Sequence, residues 1–192
     1  MEANFEILLQ QSNTIKNFIK DKVVPLDSAY LLRKADEKSW SVLEVIKHLN
    51  LVYDKYLVNL ENAVANAEQL QEGGVVKKKT TILGSISVYS QRPKGNKRKF
   101  KMKTFDFFEP EINNEELHQT LDDYYAKKNR FNEILRESRL KNLENVKIPT
   151  ALGERVQFYF YQCLEFLIAH EQRHVVQIKN ILSLVKTDSA GI

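Results

Sequence analysis

Apolar residues recur at spacings of three and four along four segments of the chain, the pattern of helices that each turn one stripe toward a core. The first segment runs from about Glu2 to Asp21, with Phe5, Leu8, Leu9, Ile15, Phe18 and Ile19 in its stripe. Val23-Val24-Pro25 ends it, because proline disfavours helix in the residue before it. The second opens at Ser39-Trp40-Ser41, where Ser41 and Glu44 read as a capping box: the serine oxygen accepts from an orphan N–H and the glutamate reaches back. Its stripe is long, from Val42, Val45, Ile46 and Leu49 through Val52, Tyr53, Tyr56, Leu57 and Leu60, and fades near Gly73-Gly74. The third runs from about Asn114 to Glu137 on Leu117, Leu121, Tyr124, Tyr125, Phe131, Ile134 and Leu135. After a loop with Pro149 and Gly153, the fourth runs from about Glu154 to Val185, with Val156, Phe160, Cys163, Leu164 and Leu167, then Val175, Ile178, Ile181, Leu182 and Val185.

Between the second and third helices, residues 75–113 form a long irregular connection. Within it Thr80 to Leu83 and Ser85 to Tyr89 suit short strand or helix alike, and Arg92-Pro93-Lys94-Gly95-Asn96 reads as a turn. The pattern predicts an all-α chain, a four-helix bundle in which the stripes share one core. At 192 residues a single domain spanning 1–192 is expected, with a frayed tail at 187–192.

Charge changes this picture in one place. The stretch from Lys77 to Lys103 holds ten Lys/Arg and no Asp or Glu, against a net charge of +4 for the whole chain, so the remainder is mildly acidic. A basic pI here describes one connection and not a general affinity for nucleic acid. Cys163 is the single cysteine, which excludes an intrachain disulfide framework and any Cys-rich zinc module. No stretch approaches the roughly 18 apolar residues of a membrane span, and the opening Met1-Glu2-Ala3-Asn4 lacks a leader pattern, so a cytoplasmic protein without a membrane partner is expected.

The candidate chemistry lies in His170-Glu171-Gln172-Arg173-His174, which places two imidazoles one turn apart on one helical face, as chelation of one ion requires. The string also reads as HExxH, in which zinc proteases use the glutamate as general base and take a third ligand further along the chain. Eighteen residues follow His174, with no His or Glu and only Asp188 among the acids, so that third ligand is missing downstream. Upstream stand His48, on the border of its helix's apolar stripe, and His118, in a polar first turn that reads as surface. His170 and His174 lie beside Leu167 and Ile178 in the middle of a stripe, where two buried, unpaired neutral imidazoles would cost on the order of a few kcal/mol. A shared metal removes that cost. Glu171 projects toward the same stripe and is a candidate catalytic base, and Gln177, one turn beyond His174, is a candidate to orient that imidazole.

Lys38-Ser39-Trp40-Ser41-Val42-Leu43-Glu44-Val45-Ile46-Lys47-His48-Leu49 and Phe166-Leu167-Ile168-Ala169-His170-Glu171-Gln172-Arg173-His174-Val175-Val176-Gln177-Ile178 resemble the corresponding helices of the DinB/YfiT-like superfamily. Phe107-Phe108-Glu109-Pro110 before the third helix and the order of helices fit as well, so the resemblance covers nearly the whole chain. It implies an up-down-down-up four-helix bundle with a divalent metal ion, zinc or nickel foremost, on His48, His170 and His174, and with coordination positions open to water. It implies a small-molecule substrate, including a low-molecular-weight thiol, in S-transferase or hydrolase-like chemistry, and is compatible with a homodimer. A general-base role for Glu171 is not inherited, since the glutamate is not universal in that family.

Two other readings compete. Lys77-Lys78-Lys79 and Arg92 to Lys103, interleaved with Tyr89, Phe100 and Phe105, have the cation and aromatic content of a nucleic-acid grip, although a solvated loop anchored by its aromatics accounts for them more simply. The bundle also suits a non-catalytic scaffold stabilised by its metal.

Overall fold

The computed structural model describes residues 2–34, 36–95, 97, 104–111 and 117–189, with side chains through 184. The bundle is made of α1 (Phe5–Lys22), α3 (Val42–Asn66), α5 (Leu117–Ser138) and α6 (Phe160–Ser189), with α2 (Ser28–Leu32) and α4 (Ile82–Gln91) in the connections. Helix α3 starts where the capping box puts it: the Glu44 N–H donates to Ser41 Oγ at 3.2 Å, and the Ser41 N–H donates to Glu44 Oε2 at 2.7 Å. Asn4, Asp27 and Thr81 cap α1, α2 and α4 in the same way with one side-chain acceptor each.

Side-chain pairings fix the directions of the helices. Asn50 bonds the Thr120 carbonyl and Glu61 pairs with Arg130, so α3 and α5 run parallel. Glu6 meets Arg139 and Ser12 meets Asn132, so α1 and α5 are antiparallel. Phe5 packs on Tyr161 and Lys179 covers Phe18, so α1 and α6 are parallel. His48 faces His174 while Tyr56 faces Phe166, so α3 and α6 are antiparallel. The order is up-down-down-up, and the parallel middle pair is what the long connection between α3 and α5 makes possible. Its core includes Ile19, Leu43, Ile46, Leu49, Leu57 and Leu60, each withdrawn from water and each contributing about 1.5–3 kcal/mol.

Two expectations about the elements are corrected. The 75–113 connection is not irregular throughout: it contains α4 and a short 3₁₀ turn at Asp106–Phe108. Helix α4 lies against α6 at Gly84, where a Cβ would run into the buried amide of Gln162, and that amide bonds both the Thr81 N–H and the Thr81 carbonyl. The fourth helix also begins later than its apolar spacing suggests. Residues 154–159 belong to a hairpin of β1 (Lys147–Thr150) and β2 (Gly153–Tyr159), antiparallel, with Ile148 opposite Phe158 and both turned inward. Val156 and Phe160 satisfy a helical spacing of four, yet Gly153 at φ 112° suits a turn between strands, and Val156, Phe158 and Tyr159 favour a pleated surface. Of the tail expected at 187–192, residues 187–189 continue α6 and the rest lie outside the described residues. No helix among the described residues is long and apolar enough to cross a membrane.

Candidate metal centre

Helix α3 carries His48 in its second turn and α6 carries His170 and His174 on adjacent turns, so antiparallel packing of the two helices brings the three rings together. Their centroids are 4.5–5.2 Å apart, and one nitrogen from each ring lies within 4.8 Å of the other two. His48 and His174 are buried at 3% and 6% exposure, and His170 is half-buried.

Each Nδ1 faces an oxygen. The Phe108 carbonyl lies 2.8 Å from His48 Nδ1, Gln91 Oε1 3.3 Å from His170 Nδ1, and Gln177 Oε1 3.1 Å from His174 Nδ1. A carbonyl oxygen only accepts, so Nδ1–H of His48 is the donor and Nε2 of the neutral ring keeps its lone pair. The Gln91 and Gln177 amide oxygens favour the same tautomer at His170 and His174. The Nε2 atoms of His48 and His170 then meet at 3.1 Å with lone pairs on both. A cation between two such nitrogens would take up both lone pairs, and the spacing fits the about 3.0–3.4 Å that two ligands subtend on an ion with metal–nitrogen bonds of ~2.1 Å.

Burial lowers the pKa of all three imidazoles. At His48 the Phe108 carbonyl partly opposes that effect, whereas at His170 and His174 the neighbouring imidazoles and Arg173 add to it and carry both well below the ordinary 6.5. The rings are therefore neutral at pH 7, the form that ligates. In the unfolded chain the same residues bind protons below about 6.5, so unfolding takes up protons there and stability rises with pH through that window. Metal-free protein is expected to keep a constant urea midpoint between about pH 7 and 8 and to lose stability as the pH falls below 6.5. Midpoints measured across that range check the sign.

The three histidines line one side of a cavity of about 530 Å³, with Trp40, Phe108, Gln91 and Arg173 among its other walls. Trp40 lies nearly parallel to the His174 ring at 6.3 Å and tilted over His48 at 4.9 Å, and Phe166 stacks on His170 at 5.9 Å. The aromatics pack against the faces of the imidazole rings.

Gln177 stands where the sequence places it, against His174. Glu171 does not turn into the cavity: its carboxylate accepts from the Lys128 ammonium and, at 3.1 Å, from the Tyr124 hydroxyl, inside the core between α5 and α6. His118 is exposed, as read. Missed in the sequence were Gln91 and the Phe108 carbonyl, both supplied by the connection. In that connection Lys78 and Arg92 pair with Glu165 at 2.7 and 3.6 Å and Lys79 with Glu144 at 3.1 Å, so part of the basic segment ties the connection to the bundle. Phe105 lines the cavity, and Phe100 with 98–103 lies outside the described residues.

A family model described as the DinB superfamily matches residues 22–178, a span that contains all three histidines. The chain belongs to the DinB superfamily. Comparison with curated proteins and with solved structures returns no match. The DinB superfamily is helical and metal-associated, and this member's three histidines form a cluster able to hold a metal ion.

Proposed function

We propose that this DinB-superfamily protein binds one divalent metal ion on His48, His170 and His174 and is a metal-dependent enzyme whose nucleophile is water or a low-molecular-weight thiol, in hydrolase-like or S-transferase chemistry. The observation that carries the reading is the ring geometry: an oxygen stands against each Nδ1, and one nitrogen from each ring lies within 4.8 Å of the other two. A divalent ion on three neutral imidazoles keeps its full charge and an exchangeable position, and supplies Lewis-acid activation of water or a thiol there.

The chain's own residues do the rest. Phe108, Gln91 and Gln177 hold the rings in the ligating orientation, an arrangement whose loss elsewhere typically reduces metal affinity 10–100-fold. Trp40 and Phe108 shield the site, which strengthens every electrostatic interaction in it. Glu171 is assigned to the core and not to proton transfer, because both its oxygens are engaged by Lys128 and Tyr124.

Protein purified without a histidine tag and reconstituted with zinc or cobalt is expected to hold one equivalent, lost in His48→Ala and His170→Ala. In the cobalt form, a small thiol such as cysteine is expected to give a thiolate-to-cobalt charge-transfer band. Unchanged metal content in both variants overturns the ligand set. One equivalent of cobalt whose spectrum responds to neither thiol nor pH overturns the catalytic reading in favour of a closed, structural site.

A further inference from the structure

The cavity wall changes character along its length. Helices α3 and α6 are antiparallel, so Val52 and Tyr56, one and two turns after His48, lie on the same side of the triad as Phe166, one turn before His170. The hairpin of β1 and β2 closes that side with Ala151, Leu152 and Phe158. Val52, Tyr56 and Phe158 are 5%, 2% and 2% exposed, and Phe166 packs on Phe158 at 5.7 Å and on Tyr56 at 6.1 Å. The opposite side, beyond His174, is lined by Trp40, Ile181 and Leu184, but Lys38, Asn180 and Leu184 are exposed there. The hairpin end is the enclosed one.

Its side-chain hydroxyls are tied to the hairpin itself. Tyr56 accepts from the Ala151 N–H at 3.1 Å, and Thr150 accepts from the Leu152 N–H at 3.2 Å. The charged side chains of the lining, among the described residues, are Lys38 and Glu109 at the exposed rim and Arg173 between the two ligands of α6. None belongs to the hairpin end. A charged group moved there from water would lose its hydration with no opposite charge to meet it, whereas an apolar group gains by leaving water. Phe166 stacks on His170 at 5.9 Å, so the apolar wall begins at the triad itself.

We infer that the molecule on which the proposed nucleophile acts carries an uncharged apolar body, an alkyl or aryl group joined directly to the reacting centre, and that this body is seated under the hairpin against Val52, Tyr56, Phe158 and Phe166. The inference rests on the proposed metal site only for the position of the reacting centre, since the seat is built from side chains outside the ligand set. The hairpin is then the element that sets specificity.

The experiment titrates straight-chain primary alcohols from butanol to octanol, and the octanediol with a hydroxyl at each end, into metal-free and zinc-loaded protein. Binding is followed by calorimetry and by the fluorescence of Trp40, the sole tryptophan and part of the cavity wall, with zinc stoichiometry measured on the same samples. In both metal states affinity is expected to rise about threefold to fourfold with each methylene, and octanol to bind at least about tenfold more tightly than the diol, whose far hydroxyl is forced into the apolar seat. Val52→Thr keeps the shape of the wall and adds a hydroxyl to it, and is expected to weaken octanol severalfold. Ala151→Trp fills the seat from the hairpin while keeping the N–H that Tyr56 accepts, and is expected to weaken octanol at least about tenfold. Both variants are expected to bind zinc as wild type does, and Leu184→Ser, at the opposite end, to leave octanol affinity unchanged. Should Ala151→Trp fail to fold, the loss in Val52→Thr against the constancy of Leu184→Ser carries the same conclusion. Failure of octanol to bind, affinity independent of chain length, equal binding of the diol, or a loss confined to Leu184→Ser overturns the proposal. Absence of zinc binding sinks the metal reading alone, because the metal-free titrations still test the seat.

Discussion

Lys128→Met is expected to lower the free energy of unfolding by about 3–5 kcal/mol, a large part of the 5–15 kcal/mol typical of a domain. Lys128 and Glu171 have side chains 0% and 2% exposed, and each is the other's charge partner across α5 and α6. Burial disfavours the Lys128 ammonium, and the Glu171 carboxylate opposes that effect. Removing the lysine strands a carboxylate in the core with only the Tyr124 and Tyr53 hydroxyls, and no cation, against it. Lys128→Met/Glu171→Leu is expected to recover most of the loss, because an apolar pair of similar volume replaces two desolvated ions. Full recovery is not expected: the Tyr53 and Tyr124 hydroxyls lose their partners, at about 1–3 kcal/mol for a buried group left unsatisfied. Urea midpoints of the two single variants and the double variant form a thermodynamic cycle, and a coupling near zero would show that the pair is not a unit.

The same pair shows what a sequence conceals. Glu171 lies between two ligands in an HExxH string, and the string suggests a general base. A helical wheel gives the direction of the carboxylate but not the neighbour that answers it. The missing signal was present in α5, where Lys128 interrupts the stripe of Tyr124, Phe131 and Leu135 at a core position. A lysine there requires a buried carboxylate, and Glu171 is the one that meets it. The triad was legible because its chemistry sits on regular helices: four-residue spacing places His170 and His174 on one face, and His48 follows a capping box that fixes the start of α3. Gln91 and the Phe108 carbonyl were not legible, since a backbone oxygen has no side-chain signature and both lie where no period guides the eye. The hairpin was hidden for another reason: Val156 and Phe160 satisfy a helical period by coincidence, and the local signals against it are Gly153, at φ 112°, and the strand-favouring Val156, Phe158 and Tyr159.

The second large effect separates binding from stability at the triad. The Nε2 atoms of His48 and His170 face each other at 3.1 Å, the spacing of two ligands on one ion. His170→Phe removes one of the two acceptors, keeps a planar ring against Phe166, and leaves His48 held by the Phe108 carbonyl. The metal-free variant is expected to be as stable as metal-free wild type within about 1 kcal/mol, because the phenyl ring keeps the packing against Phe166 and only the polar contacts of one half-buried imidazole are lost. The metal response differs sharply. Wild type at a free zinc concentration 100 times its dissociation constant gains about 2.7 kcal/mol, and the variant, with two ligands left, gains almost nothing at the same concentration. Thermal or urea unfolding with and without zinc reads both quantities from one preparation. A variant that still shifts with zinc like wild type removes His170 from the ligand set, and one that loses more than about 2 kcal/mol without zinc makes the ring a structural element first. The expected split, equal stability and lost affinity, is the signature of side chains that serve a ligand and not the fold.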